Sequence, residues 1–330
     1  MSTQFKPGNE FIYQGKKYIC LEPKRTRMTA IDMETLHLAS FPMIESLEKT
    51  EGSWKNLIAA IEDALSNLKP GTNLKLESKE FAVKAVLRNG DIEAVSKDSI
   101  SVLISKWSPW WIHFVPPECV PSSEDQPILY NLANLRSLKR KDEAYSQLKK
   151  QGFEVVPYLL LNMGTSLETI KNASVRLVGG EGKLNLGLVK FPSTIDQHAF
   201  KLSSQIIADI AVEGYLKMTL EMIENIDEEI RSQIVDDISH LKRCRSYTKE
   251  SLEKSIDGSL FSAGVVFRIL AKKRGKESVD MLEKAAKHGR NQKHRSSALG
   301  YLKNINSNQA RKAVAQIEGK SVSHSVVSTS

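Results

Sequence analysis

Apolar positions alternate, then recur at helical spacing, then alternate again, and each change marks a different kind of structure. In the first fifty residues, FIYQGKKYICLE alternates around Gly15 and MTAIDMETLHLASFP repeats strand, polar turn and strand. Side chains of a strand point to opposite faces with period two, so these stretches predict short antiparallel strands. Residues 1–50 are expected to form a small SH3-like β module.

GSWKNLIAAIEDALSNLKPG switches to helical spacing, with Trp54, Leu57, Ile58, Ile61, Leu65 and Leu68 on one face, Ser53 as the cap and Pro70-Gly71 as the stop. The next stretch, TNLKLESKEFAVKAVLRNGDIEAVSKDSISVLIS, alternates again and holds Asn89-Gly90, a strong hairpin signal. PILYNLANLRSLKRKDEAYSQLKKQG reads as one helix through Ile128, Leu132, Leu135, Leu138 and Leu148, ending at Gly152. FEVVPYLLLNM, SVRLVGG and LNLGLVKFP read as strands. Residues 51–198 are therefore expected to be an α+β domain with an antiparallel sheet.

Past Ala199 the pattern is helical throughout. Successive amphipathic segments, the first a single helix over FKLSSQIIADIAVEGYLKMTLEMIENI (200–226), are joined by short polar breaks, and Phe261, Val265, Ile269 and Leu270 are answered about one helix pair later by Leu299, Leu302 and Ile305. That spacing suits HEAT-like helix pairs or a plain bundle over residues 199–320. The serine-rich stretch 321–330 is expected to be a disordered tail. The fold class is α+β: a small β module, a mixed middle and an all-helical carboxyl-terminal region.

Composition leaves this picture standing. With 41% hydrophobic and 26% charged residues in 330, the chain is ordinarily globular and long enough for two or three domains. Cys20, Cys119 and Cys244 are far apart and form no CxxC, so a reducing compartment is expected rather than a disulfide framework or zinc ribbon. No apolar run approaches the roughly 18 residues that span a bilayer, and the amino terminus lacks the apolar core of a signal peptide, so an intracellular, cytoplasmic or nucleic-acid-associated protein is expected.

Charge changes the picture more. The net charge is +8, yet residues 268–320 alone hold fourteen Lys and Arg against four Asp and Glu, so the basicity belongs to one region. Its clusters are Lys272, Lys273, Arg274 and Lys276; Lys287, Arg290, Lys293 and Arg295 within KHGRNQKHR; and Arg311 with Lys312. In a stack of helix pairs these turns are expected to share one edge and to form a positive strip that contacts phosphate without reading sequence. Tyr301 is the only aromatic between 268 and 320, so base stacking is not expected from that region. Just upstream, residues 221–237 carry seven acids against Arg231 alone, a face suited to a protein partner.

Candidate chemistry is sparse. VGGEGKLN has Leu177 and Leu184 where a phosphate loop needs Gly and Ser/Thr, and reads as a strand-connecting turn. His240 and Cys244 make half a zinc site at best. Glu22-Pro23-Lys24 matches only a minimal nuclease triplet, and no GxSxG is present. His288 and His294 read as titratable surface groups beside the lysines. Trp107, Trp110 and Trp111 read as a strand buried on both faces, or as an aromatic platform.

Over about the first forty residues, Asn9-Glu10 and the following YICL resemble the small amino-terminal module of one family of DNA transposases. The resemblance is confined to that module, and no matching DNA-cleaving core follows it. The expected function is a non-enzymatic nucleic-acid-binding accessory or architectural protein, without cofactor or metal. The alternative is a protein-interaction scaffold that uses the helical array and the 221–237 face, and a viral or mobile-element accessory protein is compatible with either reading.

Overall fold

A computed structural model describes residues 5–34, 38–42, 47, 49–50, 54–76, 79–86, 92–97, 101–104, 126–177 and 197–319. The chain divides into two compact units, one of residues 1–148 and 185–199, the other of 149–184 and 200–330.

The first unit begins with strands β1 (Glu10–Tyr13) and β2 (Lys16–Pro23), paired antiparallel from Glu10↔Ile19 to Tyr13↔Lys16. Gln14 (φ 49°) and Gly15 (φ 76°) are both left-handed at the turn between them, the conformation a two-residue hairpin needs. With β3 (Arg27–Asp32), β4 (Leu38–Pro42) and β5 (Lys49–Thr50) they form one antiparallel sheet of order β4-β3-β2-β1-β5. The alternation in the sequence buries Phe11, Tyr18, Cys20, Met28 and Phe41 together. Burial pushes the Cys20 thiol up to about 12, which keeps it protonated and unreactive.

Helix α1 (Trp54–Ser66) follows and buries Leu57 and Ile58. A second antiparallel sheet runs β6 (Asn73–Leu76), β7 (Lys79–Val86), β8 (Ile92–Ser96) and β9 (Ser101–Ile104), around Phe81, Val83, Ile92 and Ala94. The single helix expected over 127–152 is two, α2 (Gln126–Asn134) and α3 (Lys141–Lys150). Between them Asn134 turns its amide onto the Tyr130 carbonyl, Arg140 donates to the Tyr130 hydroxyl, and Leu138 is left 86% exposed.

The second unit corrects three more expectations. FEVVPYLLLNM is no strand: Gly152–Val155 form a 3-10 turn that leads into α4 (Val156–Asn162), every residue of which is buried. A run apolar on all sides has no period, so spacing cannot separate buried helix from buried strand, while Pro157 suits a helix start. Ser174–Leu177 of SVRLVGG likewise close α5 (Leu167–Leu177). The long helix read over 200–226 breaks at Ala211–Tyr215, where Gly214 has φ 115°, into α6 (Gln197–Ile210) and α7 (Leu216–Ile223). Arg243 and Lys149 reach this break, bonding Asp209 at 3.0 Å and Glu213 at 2.9 Å.

Past α7 come α8 (Glu228–Ile238), α9 (Leu241–Ser246), α10 (Lys249–Ile256), α11 (Leu260–Lys273), α12 (Lys276–His288), α13 (Gln292–Lys303) and α14 (Asn308–Glu318). Among the described residues past 199 there is no strand. Side-chain oxygens of Thr248, Ser259, Asn291 and Ser307 cap α10, α11, α13 and α14. Helix α11 packs on α9, α10, α12 and α13, and α12 packs on both α13 and α14. Contact with the next-but-one helix is the mark of stacked pairs rather than of a closed four-helix bundle. Val265, Phe267, Ile269 and Leu270 of α11 are buried, as is Leu302 of α13, and the rings of Phe267 and Tyr301 lie 6.3 Å apart across the two helices. Helix α14 crosses the end of α13, so that Lys303 pairs with Glu318 and Gln309 donates to Asp280 of α12.

Candidate nucleic-acid interface

Both ends of α12 are cationic, and they are separate places. Lys272, Lys273 and Arg274 close α11 and Lys276 opens α12, at the end where α14 also begins with Arg311 and Lys312. Lys287 lies in the last turn of α12, Arg290 in the connection, and Lys293 and Arg295 in the first turn or so of α13. Thirteen residues of helix put about 18 Å between these groups. The single edge expected for all ten cations is therefore two clusters, because consecutive helices run back and forth and alternate turns fall on opposite ends.

Their side chains divide by duty. Lys273 donates to the carbonyls of Tyr247 at 2.7 Å and Arg245 at 3.4 Å, tying down the end of α9. Lys287 pairs with Glu283 one turn back, Arg311 donates to Asn306, and Lys272 is half-buried. Arg295, also half-buried, donates to the Gly289 carbonyl at 3.1 Å and to Gln292. The side chains of Arg274, Lys276, Arg290, Lys293 and Lys312 are exposed and make no hydrogen bond or ion pair among the described residues.

Three of those five stand where folding disfavours them. Lys276 and Lys293 lie in the first turns of α12 and α13, beside the positive end of each helix dipole. Arg274 caps α11 at φ 56°, a left-handed position where glycine is the usual residue and a side chain is strained.

The connection between α12 and α13 is tightly built. A Cβ on Gly289 would lie 2.5 Å from the Ala285 carbonyl oxygen, so only glycine fits there. Asn291 Oδ1 accepts from the backbone N–H of His294 and lies 3.0 Å from its ring Nδ1. His288 is exposed, but His294 is 5% exposed, which corrects its reading as a surface group. The available signal was spacing, since His294, Ala298 and Leu302 fall at i, i+4 and i+8 on the buried face of α13.

The acidic run is partly used by the fold. Asp237 accepts from Ser204 and Gln233, and Asp236 pairs with Arg268. Asp227, Glu228 and Glu229 sit at the start of α8, where its dipole favours them. Elsewhere, Cys244 is buried and its thiol, pushed up by burial, donates to the Ser239 carbonyl at 2.9 Å, while His240 stands exposed ahead of α9. No cluster of three metal-ligating side chains occurs among the described residues. Lys24 pairs with Glu22 at 3.1 Å at the end of β2. VGGEGKLN, LNLGLVKFP, the Trp107–Trp111 cluster, Cys119 and the 321–330 tail lie outside the described residues. Among the described residues no helix is long and apolar enough to cross a membrane. No protein-family model, curated protein or solved structure matches the chain.

Proposed function

We propose that this is a non-enzymatic nucleic-acid-binding accessory protein that grips the phosphate backbone through both ends of α12. The observation that carries the reading is the placement of Arg274, Lys276 and Lys293: exposed, with no side-chain acceptor among the described residues, and held where helix dipole or backbone strain works against them. Residues that cost stability are retained for something outside the fold. A span of about 18 Å matches roughly five phosphates of one strand at 3.4 Å each, so one backbone tracking along α12 reaches both clusters.

The scaffold reading is weaker, because Asp236 and Asp237 are bound within the fold. The test is a salt titration of the full chain with single- and double-stranded oligonucleotides, followed by fluorescence anisotropy. Five phosphate contacts give a log–log slope of about −4 to −5 on duplex. Absence of binding at low salt, or a slope near zero, would overturn the proposal in favour of a protein partner.

A further inference from the structure

Because consecutive helices of the array run back and forth, α10, α12 and α14 start on the edge where α9, α11 and α13 end. Three observations place these ends side by side. Lys273, closing α11, donates to the Arg245 and Tyr247 carbonyls at the end of α9. Lys249 of α10 and Lys276 of α12 line one cavity of about 460 Å³. Gln309, at the start of α14, donates to Asp280 of α12. The cationic Lys276 end of α12 is therefore the middle of a longer edge, and its far part lies outside the basic window 268–320 of the sequence.

That far part is α9. Lys242 and Arg245 stand three residues apart on it, both exposed, and neither side chain has a partner among the described residues. Arg243 between them is spent on Asp209 at 3.0 Å. Lys272 and Lys273 stand close by, since their charges pull down the Cys244 thiol that burial raises. Lys242 lies in the first turn of α9, beside the positive end of the dipole, so folding gains nothing from its charge. The acids of the edge are largely occupied. Glu250 pairs with Lys254 at 2.6 Å, Glu253 with Lys249 at 3.8 Å, and Asp280 accepts from Gln309, while Glu277 sits in the first turn of α12 where the dipole favours it.

We infer that the nucleic-acid interface continues from the Lys276 end of α12 onto α9, and that Lys242 and Arg245 hold the phosphates next in line after those spanned by α12. Packed helices lie about 8–10 Å apart, so the step from α11 to α9 equals about three phosphates at roughly 3.4 Å each. A strand of six nucleotides is then used up along α12, and one of twelve reaches α9. The inference rests on the proposed backbone reading and adds the course of a longer strand, across the array toward its earlier helices.

The test is fluorescence anisotropy of the full chain with single strands of six and twelve nucleotides at several salt concentrations. Lys242→Gln with Arg245→Gln should leave the shorter strand unaffected, weaken the longer one by roughly 5- to 20-fold, and lower the magnitude of its salt slope by about 1.4. Should the pair disturb α9, Arg245→Gln alone should cost half of that slope. Lys217→Gln with Lys254→Gln removes the same charge from exposed positions on α7 and in the last turn of α10, and should change neither strand. Equal binding of the longer strand by the parent and the α9 variants, or an equal loss in the Lys217 and Lys254 control, overturns the extension and leaves the α12 reading standing. A parent chain that binds neither strand with a steep slope overturns the backbone reading itself, and the extension with it.

Discussion

The two ends of α12 carry similar charge and are built differently. At the Lys276 end, structural and free cations are mixed: Lys273 fastens the end of α9, whereas Arg274, Lys276 and Lys312 have no partner among the described residues. At the His288 end the connection is locked by Gly289, by Arg295 on the Gly289 carbonyl and by Asn291 over His294, while the side chains of Arg290 and Lys293 have no partner among the described residues. One end mixes bonded and unbonded charges, and the other is a tightly bonded connection. Charge counted along the sequence is the same quantity at both; what each cation already holds is not.

The largest effect expected is on binding, from reversing the free charges at each end separately. Arg290→Glu with Lys293→Glu, and Lys276→Glu with Lys312→Glu, should each weaken oligonucleotide binding by roughly 10- to 100-fold and lower the magnitude of the salt slope by about two. Melting should stay within about 1 kcal/mol of the parent, because exposed charges contribute little. Anisotropy at several salt concentrations, with circular dichroism alongside, measures both. If only one pair matters, the two ends do not act on one strand.

Next in size is the rigidity of that connection. Gly289→Ala forces a Cβ to 2.5 Å from the Ala285 carbonyl oxygen, an overlap expected to cost about 2 kcal/mol. Gly300, within α13 and with nothing within 4 Å of an added Cβ, should gain about 0.5–1 kcal/mol on the same change. Urea unfolding of the two variants should therefore move in opposite directions. A Gly289→Ala protein as stable as the parent would mean that the connection yields, and the contrast between the ends would disappear.

Lys273→Met tests the mixed end. Losing the bonds to Tyr247 and Arg245 should destabilise the protein by about 1 kcal/mol, while the salt slope stays unchanged. Lys276→Met should do the reverse. Those two results would show that neighbouring cations of one cluster serve different purposes.

How much of this was legible follows from what each signal measures. The strand, turn and strand pattern found β1 to β4, even though β2 buries Tyr18, Ile19, Cys20 and Leu21 in succession, and Asn89-Gly90 marked the pairing of β7 with β8. Helical spacing found α11 and α13 and the apolar positions that join them. Val155–Asn162 defeated it because a segment buried on all sides has no polar face to set a period. Residues 127–152 and 200–226 were read as unbroken because the breaks depend on particular contacts: the Tyr130 carbonyl and hydroxyl in one, the positive φ of Gly214 in the other. The ten cations were visible in composition, but their division into two groups needed the direction of each helix. The burial of His294 follows from the face it shares with Ala298 and Leu302, which the cations around it masked.

The smallest effect is also the most diagnostic, because stability and binding should move in opposite directions. Arg274 occupies a left-handed cap at φ 56°, where a side chain costs about 1–2 kcal/mol relative to glycine. Arg274→Gly should therefore raise the unfolding free energy by about 1 kcal/mol, since the cap bond from the residue-274 N–H to the Leu270 carbonyl is retained. The same change removes one phosphate contact, so the salt slope should lose about 0.9. At the other end, Lys293→Gln takes a cation from the first turn of α13 and should gain about 0.3–1 kcal/mol with a similar loss of slope. A gain in stability with no loss of binding would make these residues tolerated misfits rather than contacts. A loss of both would mean that Arg274 or Lys293 supports the fold through the array, and the case that either is kept for a partner would fall.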